Sequence, residues 1–336
     1  MLETEQKQKT HPSGADNGSR PGPRIAGLGV AIPERVVTNE PVAERLGVKP
    51  EWITKRTGVR ERRVADPGVT LVDMATQAAT AALDDAGIEA GSIDLLLLAT
   101  ATNEMLCPPG GPVVAANIGA DRAGAFDLNS ACNGFLSGIS LAAGQIETGR
   151  AKTVLVIGAD MMQRFIDQED RTTAGIFADG GGAVVVAGEP GPGRIGPVVL
   201  GADGANGHLV AAERVEGIVR MKGHETFQIA VDKICESTTE ALALAGVAQD
   251  EIDLFVYHQA NARILAAVGE RLELPADRVV ECIDRFGNTS AGSLPIALND
   301  AREDGLLTDG AKLLVGAFGG GMTWGATVIE WGRRAA

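Results

Sequence analysis

The sequence lacks any apolar run that approaches the ~20 residues a membrane-spanning helix needs. It also lacks an apolar segment near its start, where residues 1–23 are polar and include Glu3, Glu5 and Asp16. This composition fits neither a secretory signal peptide nor an organelle transit peptide. We therefore expect a cytoplasmic protein without a membrane span, which begins with a disordered tail over residues 1–23.

The chain has fewer positively charged than negatively charged residues. The chain has 30 Lys and Arg residues against 44 Asp and Glu residues, which gives a formal net charge of −14. This balance excludes a general affinity for nucleic acids or anionic membranes. An acidic protein partner could dock only where basic side chains form a local patch.

Metal-binding cysteine patterns are also absent. The four cysteines, Cys107, Cys132, Cys235 and Cys282, form no CxxC pair and have no metal-ligand spacing with the four histidines. We therefore predict no metal site, and we interpret three of these residues as reduced thiols, mostly in the core. Cys132 is set apart by its surroundings.

An internal repeat is present. Four pairs of elements share an offset of 159 positions, which is hard to obtain by chance. The pairs are residues 82–87 with 241–246, 93–98 with 252–257, Asn129 with Asn288, and 154–156 with 313–315. We infer two structurally similar halves, over residues 24–190 and 191–336.

Each half alternates helices with short apolar segments. Helical apolar spacing covers residues 73–86 and 230–245, and both stretches stop at a glycine, Gly87 or Gly246. Short apolar runs at 95–99, 154–157, 254–257 and 313–315 are typical of strands buried on both faces. Alternating helices and buried strands predict an α/β fold. The two-fold relation then brings equivalent strand ends together.

Four separate blocks carry groups suited to acyl-thioester chemistry. They supply a thiol at Cys132, an imidazole at His258, a carboxamide at Asn288 and a flexible glycine loop at residues 319–321. A thiol can take an acyl group, while glycine N–H groups, an imidazole and a carboxamide can donate hydrogen bonds to an oxyanion. The set therefore favours an enzyme that holds an acyl group on Cys132.

Each block also has a purely structural interpretation. Cys132 precedes a predicted helix, whose N-terminus would favour a thiolate, but small core cysteines are common in such segments. His258 follows a buried strand, where ligands usually bind, although it could be a structural histidine. Asn288 could cap a helix, and residues 319–321 could form a tight turn. The coincidence of all four blocks favours the functional interpretation.

Together these blocks resemble the ketoacyl synthase III family of thiolase-fold condensing enzymes, over about residues 24–331. The matching motifs are Ser-Ala-Cys-Asn-Gly-Phe, His-Gln-Ala-Asn, Gly-Asn-Thr-Ser and Ala-Phe-Gly-Gly-Gly-Met. The resemblance implies a five-layered αβαβα fold, a homodimer and Cys132, His258 and Asn288 as catalytic residues. It also implies that acyl-CoA acylates Cys132 and that a malonyl thioester, normally carried by acyl carrier protein, then condenses with loss of CO2. No redox cofactor or metal is implied.

The resemblance assigns further residues. Backbone N–H groups of Cys132 and Gly320 would form an oxyanion hole. Cys107, in the family loop that reaches the neighbouring subunit, and Phe318 would line the acyl pocket. Trp52, Arg56, Arg171, Asn261 and Arg263 would contact CoA and its pantetheine arm.

The sequence departs from the family in two places. Gln228 and Glu270 stand where family members are often basic on the carrier-protein face, although Arg56, Lys222, Arg263 and Arg271 could still form a patch. A different carrier protein, or malonyl-CoA, would then be the extender. Cys107 replaces a bulky aromatic, which predicts tolerance of acyl groups longer than acetyl.

Two other functions compete. An acyltransferase on this fold would pass the acyl group from Cys132 to an alcohol, an amine or a carrier protein without decarboxylation. A carboxamide at Asn288 favours condensation, because it can donate to an enolate oxygen. A non-catalytic binding protein would not need the complete set of groups. Fatty-acid initiation and polyketide priming both remain open.

Overall fold

The protein is described here by a computed structural model that covers residues 22–332. Up to residue 190 its elements are β1 (Arg24–Ala31), β2 (Val36–Thr38), α1 (Asn39–Leu46), α2 (Pro50–Thr57), β3 (Glu61–Arg63), α3 (Leu71–Ala86), β4 (Leu95–Ala99), α4 (Gly110–Asn117), β5 (Gly124–Leu128), α5 (Gly134–Glu147), β6 (Thr153–Met161) and β7 (Asp179–Ala187). Beyond it they are β8 (Arg194–Ala202), β9 (Val210–Ala212), β10 (Val219–Met221), α6 (Gly223–Ala245), β11 (Leu254–Tyr257), α7 (Ala262–Arg271), α8 (Ile283–Phe286), α9 (Ser293–Glu303), β12 (Lys312–Gly319) and β13 (Thr323–Glu330).

Two mixed sheets form the frame. The first has the order β1-β7-β6-β4-β5, in which β1, β6, β4 and β5 run in the same direction and β7 runs antiparallel to them. The second has the order β11-β12-β13-β8, in which only β11 and β12 pair in parallel. Every residue of β6 and β11 is buried, as predicted for strands that are covered on both faces.

The helices and sheets stack in five layers. Helices α3 and α4 pack on the outer face of the first sheet, and α6 and α7 pack on the outer face of the second. Helices α5 and α9 fill the space between the sheets, in a core that takes side chains from both of them. This αβαβα arrangement confirms the expected fold class.

The 159-residue offset is visible in the backbone. Helices α5 and α9 begin at Gly134 and Ser293, and β4 and β11 begin at Leu95 and Leu254. Asp94 accepts a hydrogen bond from the Thr153 N–H (3.1 Å), and Asp253 accepts one from the Lys312 N–H (2.8 Å) at equivalent positions. The chain passes from one sheet to the other between β7 and β8, so residue 190 lies in the connection. A domain boundary there stays a prediction.

Some element boundaries differ from the sequence expectation. Helix α6 begins at Gly223, seven residues before the predicted start, because its first two turns face a cavity rather than the core and therefore lack a core-type pattern. Both α3 and α6 end where predicted, at Gly87 and Gly246 with φ of 62° and 65°. Most of the predicted tail lies outside the described residues. Within residues 22–332 no helix is long and apolar enough to span a membrane.

Candidate active site

One cavity collects nearly all the predicted site residues. It has a volume of about 410 Å³. Its buried end is lined by Cys132, His258, Asn288, Phe318 and Gly320, and its exposed end by Trp52, Arg56, Arg171, Asn261 and Arg263. Cys107 is the exception, because it is exposed and does not line this cavity. In a single chain, the structure therefore does not bring Cys107 to the other site residues.

Cys132 lies in the turn between β5 and α5. The preceding residue, Ala131, has a φ of 46°, a conformation that L-residues rarely adopt. Burial raises the pKa of the Cys132 thiol to about 11, although the Ser290 side chain and the backbone N–H groups of Cys132 and Gly320 act in the opposite direction. The thiolate expected from the helix N-terminus is therefore not the resting form. At neutral pH the raised pKa therefore favours the protonated thiol.

The glycine turn after β12 closes over Cys132. A β-carbon on Gly319 would lie 2.7 Å from the Cys132 nitrogen, so any side chain there would obstruct this N–H. The Thr323 hydroxyl donates a hydrogen bond to the Ser130 carbonyl (2.9 Å) and thereby holds the turn against the nucleophile segment. The N–H groups of Cys132 and Gly320 both interact with the sulfur. A pair of donors is therefore directed at the reacting atom.

His258 follows β11, and its backbone N–H donates to the Gly316 carbonyl (2.8 Å). The side chain is 2% exposed, and neither ring nitrogen has a hydrogen-bond partner among the described residues. Burial lowers its pKa to about 3. A neutral imidazole with an unpaired N–H is thus available to donate to a substrate oxygen.

Asn288 lies in the turn between α8 and α9. Its Oδ1 accepts a hydrogen bond from the Ser290 N–H (2.9 Å), and its Nδ2 donates weakly to the Ala260 carbonyl (3.3 Å). Asn288 does not cap α9, whose N-cap residue is Gly292. Since Oδ1 is already occupied, the amide hydrogens are the part of this side chain that can serve a ligand.

Aromatic rings and guanidinium groups line the exposed end of the cavity. The Arg56 guanidinium lies 4.9 Å from the Trp52 ring centroid, and Arg263 lies 5.6 Å from that of Phe227. Asn261 donates to the Arg56 carbonyl (3.1 Å) and accepts from the Arg263 N–H (2.9 Å), so it also caps α7. Flat cationic and aromatic surfaces of this kind suit a nucleotide base and its phosphates.

A buried arginine that sequence reasoning missed supports this end of the cavity. Arg62 has no exposed surface and donates to the Thr38 carbonyl (2.9 Å), Asn39 Oδ1 (2.7 Å) and the Gly175 carbonyl (2.9 Å). These bonds tie the β2–α1 segment to the loop that contains Arg171. No pattern around residue 62 distinguishes it from an exposed arginine.

Glu104, on the same loop as Cys107, is held by hydrogen bonds to two other segments. Its Oε1 accepts hydrogen bonds from Arg164 (2.8 Å) and from the N–H of Leu71, the first residue of α3 (3.1 Å). The loop of residues 102–109 is thereby anchored at its start, while Met105, Leu106 and Cys107 stay exposed. Among the described residues, no cluster of His, Cys, Asp or Glu could hold a metal ion.

The chain is similar to known proteins over most of its length. Residues 126–204 match the sequence model of 3-oxoacyl-[acyl-carrier-protein] synthase III, and residues 242–331 match that of its C-terminal part. A β-ketoacyl-[acyl-carrier-protein] synthase III from Roseiflexus sp. (strain RS-1) is 43% identical over 321 residues, which cover 91% of this chain and 98% of the relative.

Solved structures of related enzymes are also similar to this chain. The 3-oxoacyl-[acyl-carrier-protein] synthase III from Aquifex aeolicus VF5 has a TM-score of 0.90 and 41% identity, over 92% of this chain and 100% of that one. The priming β-ketosynthase of the R1128 polyketide pathway has a TM-score of 0.88 and 35% identity, over 93% of this chain and 97% of that one.

The fold and the comparisons define an enzyme of the acyl-transferring, condensing class. More specifically, the chain belongs to the 3-oxoacyl-[acyl-carrier-protein] synthase III family. This confirms the resemblance, the fold class and the enzyme class that the sequence predicted.

Proposed function

We propose that this enzyme starts an acyl chain by decarboxylative condensation. An acyl-CoA acylates Cys132, and a malonyl thioester on acyl carrier protein then gives a 3-oxoacyl thioester. The observation that carries this proposal is the convergence of a thiol, an unpaired neutral imidazole and a carboxamide donor at the buried end of one cavity. The reaction uses acyl-CoA as a substrate and requires no redox cofactor.

In the first step the Cys132 sulfur bonds to the acyl carbon and the bond from that carbon to the CoA sulfur breaks. The thiol proton leaves with CoA, so CoA departs as a thiol. Negative charge develops on the acyl oxygen, within reach of the Cys132 and Gly320 N–H groups. Each such donor typically contributes ~3–4 kcal/mol to transition-state stabilisation.

In the second step the malonyl carboxylate leaves as CO2, and its bonding electrons form an enolate on the thioester. His258 and Asn288 donate hydrogen bonds to the enolate oxygen, and the burial of both side chains strengthens these bonds. The enolate carbon attacks the acyl carbon, the bond from that carbon to the Cys132 sulfur breaks, and the departing thiolate takes a proton from solvent. The lowered pKa of His258 suits this role, because a neutral imidazole keeps one N–H that can donate a hydrogen bond to the enolate oxygen.

The runner-up function is transfer of the acyl group to another nucleophile without decarboxylation. Such an enzyme needs a base near the acceptor, and burial lowers the pKa of His258 and so makes it a poorer base. The carboxamide of Asn288 cannot act as a base. The donors around Cys132 therefore support condensation.

We assign CoA recognition to the exposed end of the cavity, where Trp52, Arg56 and Arg171 offer an aromatic face and cations and where Asn261 and Arg263 flank the tunnel. Because its substrates would be CoA and carrier-protein thioesters, we place the enzyme in the cytoplasm. The pathway, fatty-acid initiation or polyketide priming, depends on the acyl group that this cavity accepts.

Carrier-protein docking would use the same side of the molecule. Arg271 already pairs with Asp232, which reduces the positive potential on α7 near the exposed Glu270. Arg56, Arg263 and Lys222 remain as exposed cations. Replacing Glu270 by Lys changes the local charge by two units and should raise affinity for an acidic carrier protein by up to about thirty-fold, since each exposed charge is worth up to about 1 kcal/mol. Unchanged affinity would exclude Glu270 from the docking face.

We also propose a homodimer that completes the acyl pocket. Strand β5 is an edge of the first sheet, its Phe126 is 44% exposed, and Met105 and Leu106 of the nearby loop are 57% and 75% exposed. An edge strand beside apolar side chains favours pairing with a second copy. Cys107 would then reach the partner's Phe318 region, and Cys107→Phe should shift preference to shorter primers. An unchanged preference would exclude Cys107 from the pocket.

The proposal is tested by measuring CO2 release from a malonyl-carrier protein with and without a panel of acyl-CoA primers, and with malonyl-CoA as an alternative extender. Primer-dependent release with a 3-oxoacyl product is the expected result. Acylation of Cys132 without CO2 release from either extender would instead indicate the acyltransferase. No acylation by any primer would exclude both functions.

A further inference from the structure

Arg62, in β3, is the largest fully buried side chain among the described residues. Its guanidinium group donates hydrogen bonds to the carbonyls of Val37 (3.1 Å) and Thr38 (2.9 Å), to Asn39 Oδ1 (2.7 Å) and to the Gly175 carbonyl (2.9 Å). None of these four acceptors carries a charge. Burial lowers the pKa of Arg62 to about 10, which still leaves it protonated at neutral pH. Burying a cation among neutral oxygens is unfavourable, so this arrangement indicates a role beyond packing.

Asn39 extends the contacts of Arg62 to helix α2. The Asn39 side chain is buried, and while its Oδ1 accepts from Arg62 its Nδ2 donates to Thr54 Oγ1 (2.9 Å). Thr54 lies on α2 between Trp52 and Arg56, both of which line the exposed end of the cavity. The side chains of Arg62 and Asn39 therefore hold α2 from the inside of the protein.

The Gly175 carbonyl connects Arg62 to the opposite wall of the cavity, the segment of residues 171–175. A β-carbon on Gly175 would lie 3.1 Å from Cγ2 of Ile53, so this segment packs closely against α2. Arg171 begins the segment, and its Nε donates to the Leu46 carbonyl (3.0 Å) at the end of α1. The exposed end of the cavity thus has two walls, α2 and residues 171–175, and Arg62 is hydrogen-bonded to both, directly or through Asn39.

We propose that Arg62 is a positioning residue that sets the spacing of these two walls and thereby makes the enzyme select CoA thioesters over thioesters without a nucleotide. The inference rests on the proposed function, in which the exposed end of the cavity holds the CoA nucleotide. A pantetheine thioester has the same arm and acyl group as an acyl-CoA but nothing that reaches the two walls. A change in wall spacing should therefore weaken the use of acyl-CoA and leave Cys132, at the buried end, able to react.

The test compares the acylation of Cys132 by acetyl-CoA and by acetyl-pantetheine, followed as a mass increase. Arg62→Met should lower kcat/KM for acetyl-CoA by about 10- to 100-fold, as a displacement of binding groups by roughly 1 Å can do. Its kcat/KM for acetyl-pantetheine should equal that of the wild type. The dissociation constant of free CoA, measured by calorimetry, should rise by the same factor as the loss for acetyl-CoA. Arg60→Met, which removes an exposed arginine two positions away, is the control and should match the wild type in all three measurements.

Two further variants separate the hydrogen bonds from the charge and from folding. Arg62→Lys keeps the cation but replaces the planar fork of donors with one ammonium group, so it should resemble Arg62→Met. Thr54→Val removes only the hydroxyl that links Asn39 to α2, and it should reduce the preference for acetyl-CoA by about five-fold, the usual worth of one hydrogen bond. If the Arg62 variants do not fold, Thr54→Val decides alone.

The same ratio of the two kcat/KM values in the wild type, Arg62→Met and Thr54→Val would overturn the proposal. An equal loss with both thioesters would also overturn it, because it would show general damage to the site. Full recovery in Arg62→Lys would assign the effect to the charge and not to the connection between the walls. If neither thioester acylates the wild type, the proposed function fails, and the dissociation constants of CoA still decide the role of Arg62.

Discussion

The two turns that meet at the cavity have similar backbone conformations but carry different side chains. In both, a residue with positive φ lies in the turn before a helix, Ala131 at 46° and Ser290 at 51°, and the two are 159 positions apart. The first turn then presents Cys132, whereas the second presents Ala291 at the equivalent position and Asn288 just before it. The same type of turn therefore occurs once in each half of the chain, and each turn supplies different catalytic groups.

The strand ends that face these turns differ as well. Asp160 at the end of β6 and Gly319 at the end of β12 occupy equivalent positions. Asp160 uses the Ala291 N–H as a hydrogen-bond donor (3.0 Å), while Gly319 leaves the Cys132 N–H unobstructed. The Asp160 carboxyl group occupies the Ala291 N–H, whereas Gly319 has no side chain that could block the Cys132 N–H. This difference explains why only the first half can host an acyl oxyanion.

The largest expected effect comes from moving the nucleophile to the other turn. Cys132→Ala should abolish acylation, and the double variant Cys132→Ala, Ala291→Cys should not recover it, because Asp160 occupies the N–H that an oxyanion would need. Acylation is measured as a mass increase after incubation with acyl-CoA. Acylation at residue 291 would contradict the asymmetry described above.

Filling the open N–H site should come next in size. Gly319→Ala places a methyl group 2.7 Å from the Cys132 nitrogen, and acylation should slow by about 10²–10³-fold, the usual cost of losing one oxyanion donor. Gly204→Ala is a matched control, since a β-carbon there contacts nothing within 4 Å. Equal acylation rates for the two variants would exclude this N–H from catalysis.

Removing the carboxamide should separate the two half-reactions. Asn288→Ala loses a donor to the enolate, so CO2 release from the malonyl thioester should fall by about 10²–10³-fold. Acylation of Cys132 should change far less, because Asn288 does not point at the acyl oxygen in this scheme. Rapid-quench measurement of both steps checks the split. A similar loss in both steps would indicate that Asn288 acts by shaping the cavity.

The sequence predicted the helices, the strands and the catalytic motifs better than it predicted hydrogen bonds between buried residues. The 159-residue offset predicted the paired helices and strands, and local motifs predicted Cys132, His258 and Asn288. The hydrogen bond from the Ala291 N–H to Asp160 joins residues 131 positions apart, and no local sequence pattern indicates it. Extending the repeat register to Asp160 and Gly319 would have revealed the contrast. Burial raises the pKa of the Cys132 thiol and so opposes the thiolate that a helix N-terminus favours, and burial cannot be read from the local motif.

The smallest predicted effect concerns stability. The folded pKa of His258 is about 3, below its ordinary value near 6.5, so between these values the unfolded chain binds a proton that the folded chain does not. Stability should therefore fall as pH drops below 6.5, by up to about 2 kcal/mol at pH 5. Urea unfolding at pH 7.5 and 5 should show a smaller loss for His258→Gln than for the wild type. Equal losses would mean that His258 is protonated in the folded state.

The most direct measurement follows a single turnover on Cys132. The acyl-enzyme is formed with acyl-CoA, freed of excess primer and mixed with malonyl-carrier protein, and the protein mass, the CO2 and the product are then followed together. The account predicts that the acyl mass leaves Cys132 at the rate of CO2 release and reappears as one equivalent of 3-oxoacyl-carrier protein. Loss of the acyl group without CO2, or release of CO2 while the acyl group stays on Cys132, would contradict it.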